Sequence, residues 1–186
     1  MFSITRLQTH QVLLVTAGQA ARQQMLEWIA ILACQGKVMV VDGGNQFNIY
    51  RVAKSIRRKT AALHGSLQNI TISRSFSCYQ MAALLEQLST APGPLFMLDF
   101  LFSFYDEDIP LKESLRLLKN SLQRLVLLSH NVPLIISTRP ASFSPERSIL
   151  LEEVKDIATM LWEGQEETAQ QSKPLTLLPW TQENSG

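Results

Sequence analysis

The residues of this chain best placed to do chemistry follow short apolar runs. After Val12–Thr16 comes Ala17-Gly18-Gln19-Ala20-Ala21-Arg22-Gln23-Gln24-Met25. The run Lys37–Asp42 ends in Asp42, and Asn69–Ser73 is followed by Arg74. Leu95–Asp99 ends in Asp99, and Val132–Thr138 runs through Ser137 and Thr138 into Arg139. In an open parallel α/β sheet, ligands bind beyond the carboxyl ends of the strands, so a site is expected at these positions. The first turn is where a triphosphate would sit in a loop of the form GxxxxGK[ST]. There the glycines free backbone N–H groups for phosphate oxygens, the lysine neutralises charge and the hydroxyl holds magnesium. Counting from Gly18, the second glycine position is Gln23, the lysine position Gln24 and the hydroxyl position Met25, and no lysine precedes Lys37. A neutral amide cannot replace an ammonium against a triphosphate, and a thioether does not hold a hard cation. Gly18, Gln23, Gln24 and Asp99 are therefore expected to mark a vestigial nucleotide site. No catalytic residue, bound ATP, metal or other cofactor is expected with it. The first helix keeps only the generic attraction of its N-terminus for anions.

Other chemistry-bearing residues give weaker signals. Asp42 ends the second apolar run, where a ribose-binding acid sits in dinucleotide enzymes, but Ala17–Gln24 lacks the GxGxxG glycines. Cys34 and Cys78 form no CxxC pair, and His10, His64 and His130 are scattered, so no zinc or redox motif follows. Both thiols fall in apolar-periodic stretches and are expected to be buried. Arg51, Lys54 and Arg58 share one helical face, either a solvated surface or a contact to DNA phosphates. Arg74 and Arg139 either hold a phosphate or pair with Asp42 or Asp99, and of these pairing is expected. Phe100, Phe102, Phe104 and Tyr105 either pack under the next helix, cover the emptied site, dock a partner or stack on bases. Asp106, Glu107 and Asp108 precede Pro110, which suits a helix N-terminus with Pro in its first turn.

The elements that position these residues follow from periodicity. The apolar runs named above read as five strands, with Ile157–Trp162 and Leu175–Leu178 as two final ones, antiparallel through the polar loop 164–173. Helices are expected over Ala21–Gln35, closed by Gly36 as a C-terminal cap, and over Phe47–Leu63, Tyr79–Leu88 and Leu111–Ser129. Strands that are apolar almost throughout, alternating with helices, specify a mainly parallel sheet between two helical layers. The 186 residues suit one domain, residues 1–180, with 181–186 as a tail. Charged residues make up 18%, below the roughly 25% of an average soluble chain. Either a partner covers part of the surface or the chain is rich in buried strands. The net charge of +1 gives no global sign of a nucleic-acid binder. No apolar run reaches the length of a membrane span or a signal-peptide core, so a cytoplasmic location is expected.

Five segments, in order, resemble the RecA/RadA recombinase family. Val12–Leu26 stands where that family's phosphate-loop strand and helix belong. Val40-Val41-Asp42-Gly43-Gly44-Asn45-Gln46-Phe47 is similar to its DTEGTF stretch. Leu67–Leu85 resembles its L.NI...RA......QM.LL segment. Phe96–Phe100 and Pro133–Pro140 resemble the Walker B strand and the strand after it. The resemblance spans Val12 to Leu178. It implies a RecA-like P-loop NTPase core, ATP-dependent assembly on DNA, and recombination or repair. It also implies what this chain lacks. The family's catalytic glutamate is replaced by Gly43 or Gly44, its Asn-Gln pair by Ser137-Thr138-Arg139, and its phosphate loop has gone. The resemblance thus implies a degenerate, non-catalytic member acting through protein contacts, with a recombinase-type partner or itself; a DNA contact through Arg51, Lys54 and Arg58 stays the alternative to a solvated face.

Overall fold

A run of aliphatic residues without polar alternation is buried on both sides only inside a sheet covered on both faces. Four such runs form the middle of one sheet here. The computed structural model describes residues 3–16, 19–139 and 144–163. Its strands are β1 (Val12–Thr16), β2 (Val38–Asp42), β3 (Ile70–Arg74), β4 (Leu95–Leu98), β5 (Leu134–Thr138) and β6 (Met160–Glu163). They are ordered β3-β2-β4-β5-β1-β6, and every pairing is parallel. The interior strands VMVVD, LFML, LIIST and VLLVT are buried almost from end to end, whereas the edge strand ITISR is half-exposed. The chain is thus α/β, with an all-parallel six-stranded sheet among helices, a Rossmann or RecA-like kind of architecture.

Side chains alternate across each strand and build two cores. On one face Leu13, Val15, Val40, Phe96 and Ile135 pack with Met25, Ile29, Val52 and Ile56. These come from α1 (Gln19–Ala33) and α2 (Ile49–Arg57), beside which lies α3 (Leu63–Gln68). On the other face Leu14, Val41, Met97 and Ile136 pack with residues of α4 (Cys78–Gln87), α5 (Leu111–Ser129) and α6 (Ser148–Ile157).

Several elements differ from the sequence expectation, each for a local reason. The helix expected over Phe47–Leu63 is shorter, ending at Arg57, and α3 begins only at Leu63. Asn48 caps α2 by accepting from the Arg51 N–H at 3.1 Å, which leaves Phe47 outside it and buried. Thr60 then accepts from the Ala62 N–H at 3.1 Å, a bond that competes with helix continuation. Gly36 closes the end of α1 by donating its N–H to the Leu32 carbonyl at 3.0 Å, and it does so without a left-handed conformation. Ile157 ends α6 rather than starting a strand, and β6 begins at Met160, parallel to β1. Its expected antiparallel partner, Leu175–Leu178, lies outside the described residues. Cys78 is buried and burial raises its thiol pKa, but Cys34 is only half-buried. The acidic run 106–108 lies before α5 rather than in its first turn. Pro110 is the N-cap, and Glu113 is the acid in that turn.

One buried cation holds the connection between β4 and α5. Arg147, 4% exposed, donates to the Phe104 and Ile109 carbonyls and to Ser114 Oγ. Replacing it with an apolar side chain leaves those carbonyls without partners at a cost of about 1–3 kcal/mol each. Arg147→Met is therefore expected to lower unfolding stability by about 2–4 kcal/mol in a urea titration. A change within about 0.5 kcal/mol would mean that the connection is held by packing alone.

Candidate functional site at the carboxyl ends of the strands

Asp99 is the first residue beyond β4, and it turns the chain in a left-handed conformation with φ 46°. Asp tolerates this region better than most residues, at a cost of order 1 kcal/mol. Its neighbours fix the turn. The Asp99 N–H donates to Ser137 Oγ at 3.1 Å, the Phe100 N–H to the Ser137 carbonyl at 2.9 Å, and the Gly43 N–H to the Leu98 carbonyl at 2.8 Å. The carboxylate is thereby held over the strand ends, 8% exposed.

Two guanidinium groups meet that carboxylate. Arg139, just past β5, places Nη2 3.4 Å from Asp99 Oδ2, and Arg22 of α1 places Nη2 3.6 Å from the same oxygen. Arg22 precedes the buried residues Met25 and Leu26 by three and four positions, so it shares their face of the helix. Burial raises the Asp99 pKa, and the charges of Arg139 and Arg22 offset only part of that rise.

Asp42 is fully buried and satisfied within its own loop. Oδ1 accepts from the Gln46 N–H at 2.9 Å and Oδ2 from the Phe47 N–H at 2.8 Å, with Arg74 Nε 3.7 Å away. The expected pairing of Arg74 and Arg139 with the two aspartates is what the structure shows. The loop between these acids has no room for side chains. A Cβ on Gly44 would lie 2.5 Å from Asp99 Cβ and 2.7 Å from Asp99 Oδ2. One on Gly43 would lie 2.9 Å from the Met81 methyl.

Of the vestigial site expected at Gly18, Gln23, Gln24 and Asp99, Gly18 lies outside the described residues. Gln23 is exposed, Gln24 is half-buried and Met25 is fully buried in the core. The cleft beside Asp99 is lined by Ala21, Arg22, Met25, Leu26, Gln46, Leu98 and Ser137, not by the two glutamines. Its volume of about 10 Å³ is roughly the space of one water molecule. Arg22 is the residue whose role sequence reading missed; its spacing to Met25 and Leu26 was the available signal. Among the described residues no three His, Cys, Asp or Glu side chains converge as a metal site.

The aromatic group beyond β4 divides. Phe100 and Phe104 are fully buried, 5.4 Å apart, in the core that α5 covers. Only Phe102 is well exposed, at 55%, with the Arg139 guanidinium 5.6 Å from its ring. The Tyr105 hydroxyl donates to the Arg139 carbonyl at 3.0 Å, and burial pushes its pKa up to about 12, so it stays protonated. Arg51, Lys54 and Arg58 lie outside the crevice, exposed along and just past α2.

No protein-family model matches this chain, and no curated protein matches it significantly.

Two outcomes test this geometry. Gly44→Ala forces a methyl against Asp99 and is expected to lower stability by about 1–3 kcal/mol in thermal or urea unfolding. An unchanged midpoint would show that the loop has slack. For Asp99, the raised pKa means that its contribution to stability is complete below the ordinary value of 3.8. That contribution is lost as pH rises through the raised folded value. The Asp99→Asn protein has no such loss, so wild type is expected to lose stability relative to it as pH rises through that window. Parallel pH–stability curves would contradict the assignment.

Proposed function

We propose that this chain is a non-catalytic, RecA-like accessory or regulatory protein of DNA recombination or repair, acting through protein contacts. One observation carries the reading. The carboxylate at the Walker B position, Asp99, is held by Arg22 and Arg139 instead of standing free for a hydrated magnesium ion. The surroundings agree with it. Met25, at the magnesium-hydroxyl position, is part of the hydrophobic core. Gly43 and Gly44, at the catalytic-glutamate position, are pressed against Met81 and Asp99. An ion-paired strand end of this kind keeps the fold rigid while removing the groups that phosphoryl transfer needs.

The dinucleotide-enzyme reading has less support. Both oxygens of Asp42 already accept backbone N–H groups, so no lone carboxylate is presented to a ribose. The strand order β3-β2-β4-β5-β1-β6 also differs from the 3-2-1-4-5-6 order of dinucleotide-binding sheets. Arg51, Lys54 and Arg58 provide the basic surface for a DNA contact in the proposed role.

Isothermal calorimetry with ATP and magnesium is expected to give only heats of dilution at protein concentrations of about 50 μM. Saturable, magnesium-dependent binding with a Kd near 1 μM, about −8 kcal/mol, would require a working phosphate site and overturn the reading.

A further inference from the structure

The three histidines of this chain are spread along its sequence, but folding brings two of them together. His10 stands two residues before β1, and His130 follows α5 on the approach to β5. Both therefore lie at the amino ends of the strands, on the side of the sheet away from the Asp99 crevice. Their ring centroids are 4.7 Å apart and their planes are tilted by 34°. Both residues are exposed.

Backbone bonds fix the two positions relative to each other. The His10 N–H donates to the Ser129 carbonyl at 2.6 Å, and the Leu134 N–H donates to the Gln11 carbonyl at 3.1 Å. β1 and β5 are parallel partners with Val12 opposite Leu134, so the segments cannot separate without breaking the sheet. His10 takes φ 63°, a left-handed conformation that His adopts more readily than most residues but that still costs energy. Such a residue persists where its surroundings over-determine it. The spacing that results suits chelation. Two imidazoles that bind one ion at about 2.0–2.1 Å, at an angle between right and tetrahedral, hold their ring centres about 4.5–5.2 Å apart. The pair lies within that range, and rotation about the side-chain bonds is enough to turn a nitrogen of each ring toward one ion. His130 is also the C-cap of α5, and the carbonyl end of a helix favours a cation.

We propose that His10 and His130 chelate one divalent transition-metal ion of the kind imidazole prefers: zinc, copper(II) or nickel(II). Among the described residues no group of three His, Cys, Asp or Glu side chains could hold a metal, so water completes the coordination. With two protein ligands the site binds more weakly than a four-ligand structural zinc site. The bound ion ties the end of α5 to the start of β1 and stabilises the fold in proportion to its occupancy. Hard cations such as magnesium prefer oxygen ligands and are not held there. The site shares no residue with the Asp99 crevice, so metal binding and nucleotide binding are separate readouts and failure of either reading leaves the other standing.

The test uses the full-length chain without an affinity tag. Zinc at about 0.1 mM is expected to raise the melting temperature by about 2–4 °C, whereas magnesium at the same concentration leaves it unchanged. Calorimetry is expected to give one zinc ion per chain, with no change of mass on size exclusion. His10→Asn and His130→Asn are each expected to weaken binding at least about tenfold, the cost of disturbing even the residues behind a metal ligand. Asparagine suits the left-handed position of residue 10, so the metal-free melting temperature is expected to stay within about 2 °C of wild type. His64→Ala and Cys34→Ser, which remove the remaining histidine and the more accessible thiol, are expected to leave the affinity unchanged. Copper(II) bound to the wild-type chain is expected to show hyperfine coupling to two nitrogens in its electron paramagnetic resonance spectrum. Three results would each overturn the proposal: no saturable binding at zinc concentrations up to about 1 mM, affinity retained in either single histidine variant, or one ion shared between two chains.

Discussion

The Asp99 carboxylate sits at the end of a buried strand, almost out of contact with water, and the protein has to compensate its charge. Arg22 and Arg139 do so from two different elements, at 3.6 and 3.4 Å. The compensation is incomplete, since burial still raises the pKa. A buried charge stripped of its partners is far more costly than one that keeps them. That constraint ties α1, β4 and β5 together at the one place where an α/β sheet would otherwise open a ligand crevice. Both arginines are partly exposed, with side chains 35% and 40% accessible, so they span from the buried oxygen to solvent.

The loops around Asp99 are shaped by the same crowding. Gly43 and Gly44 are needed because the β2 loop passes directly against Asp99, and Asp42 holds that loop closed through two backbone N–H groups. On the other side, Ser137 accepts from the Asp99 backbone, and Tyr105 reaches across to the Arg139 carbonyl. Arg147 then anchors the chain between Phe104 and Ile109 from beneath. These are bonds of the protein to itself. They tie strand ends that bear two aspartates and three arginines to the protein's own backbone and side chains.

The sheet is organised the opposite way at its margin. Its middle is apolar on both sides and its charges at the strand ends are neutralised in pairs, whereas the β3 side gathers unpaired cations, exposed aromatics and outward-facing backbone groups. The low overall charge of the chain is consistent with this division, because four of the six strands bury nearly every residue they contain.

The sequence by itself determined the α/β class, the approximate positions of the first five strands and the full extent of α5, because short apolar or alternating runs bounded by turn residues and a long 3.6-residue periodicity mark them. It also determined that no lysine or hydroxyl stands in the first turn, which is a matter of residue identity alone. Tertiary structure decided the rest. The break between α2 and α3 depends on side-chain bonds of Asn48 and Thr60 that periodicity does not register. The α6 helix, with Leu150, Leu151 and Val154 buried, was hidden because so short a stripe resembles an irregular apolar stretch. Strand order is a non-local property and could not be counted from the chain. The meeting of Arg22 with Asp99, residues far apart in sequence, follows only from that order, since β1 and β4 reach the same crevice through β5 lying between them.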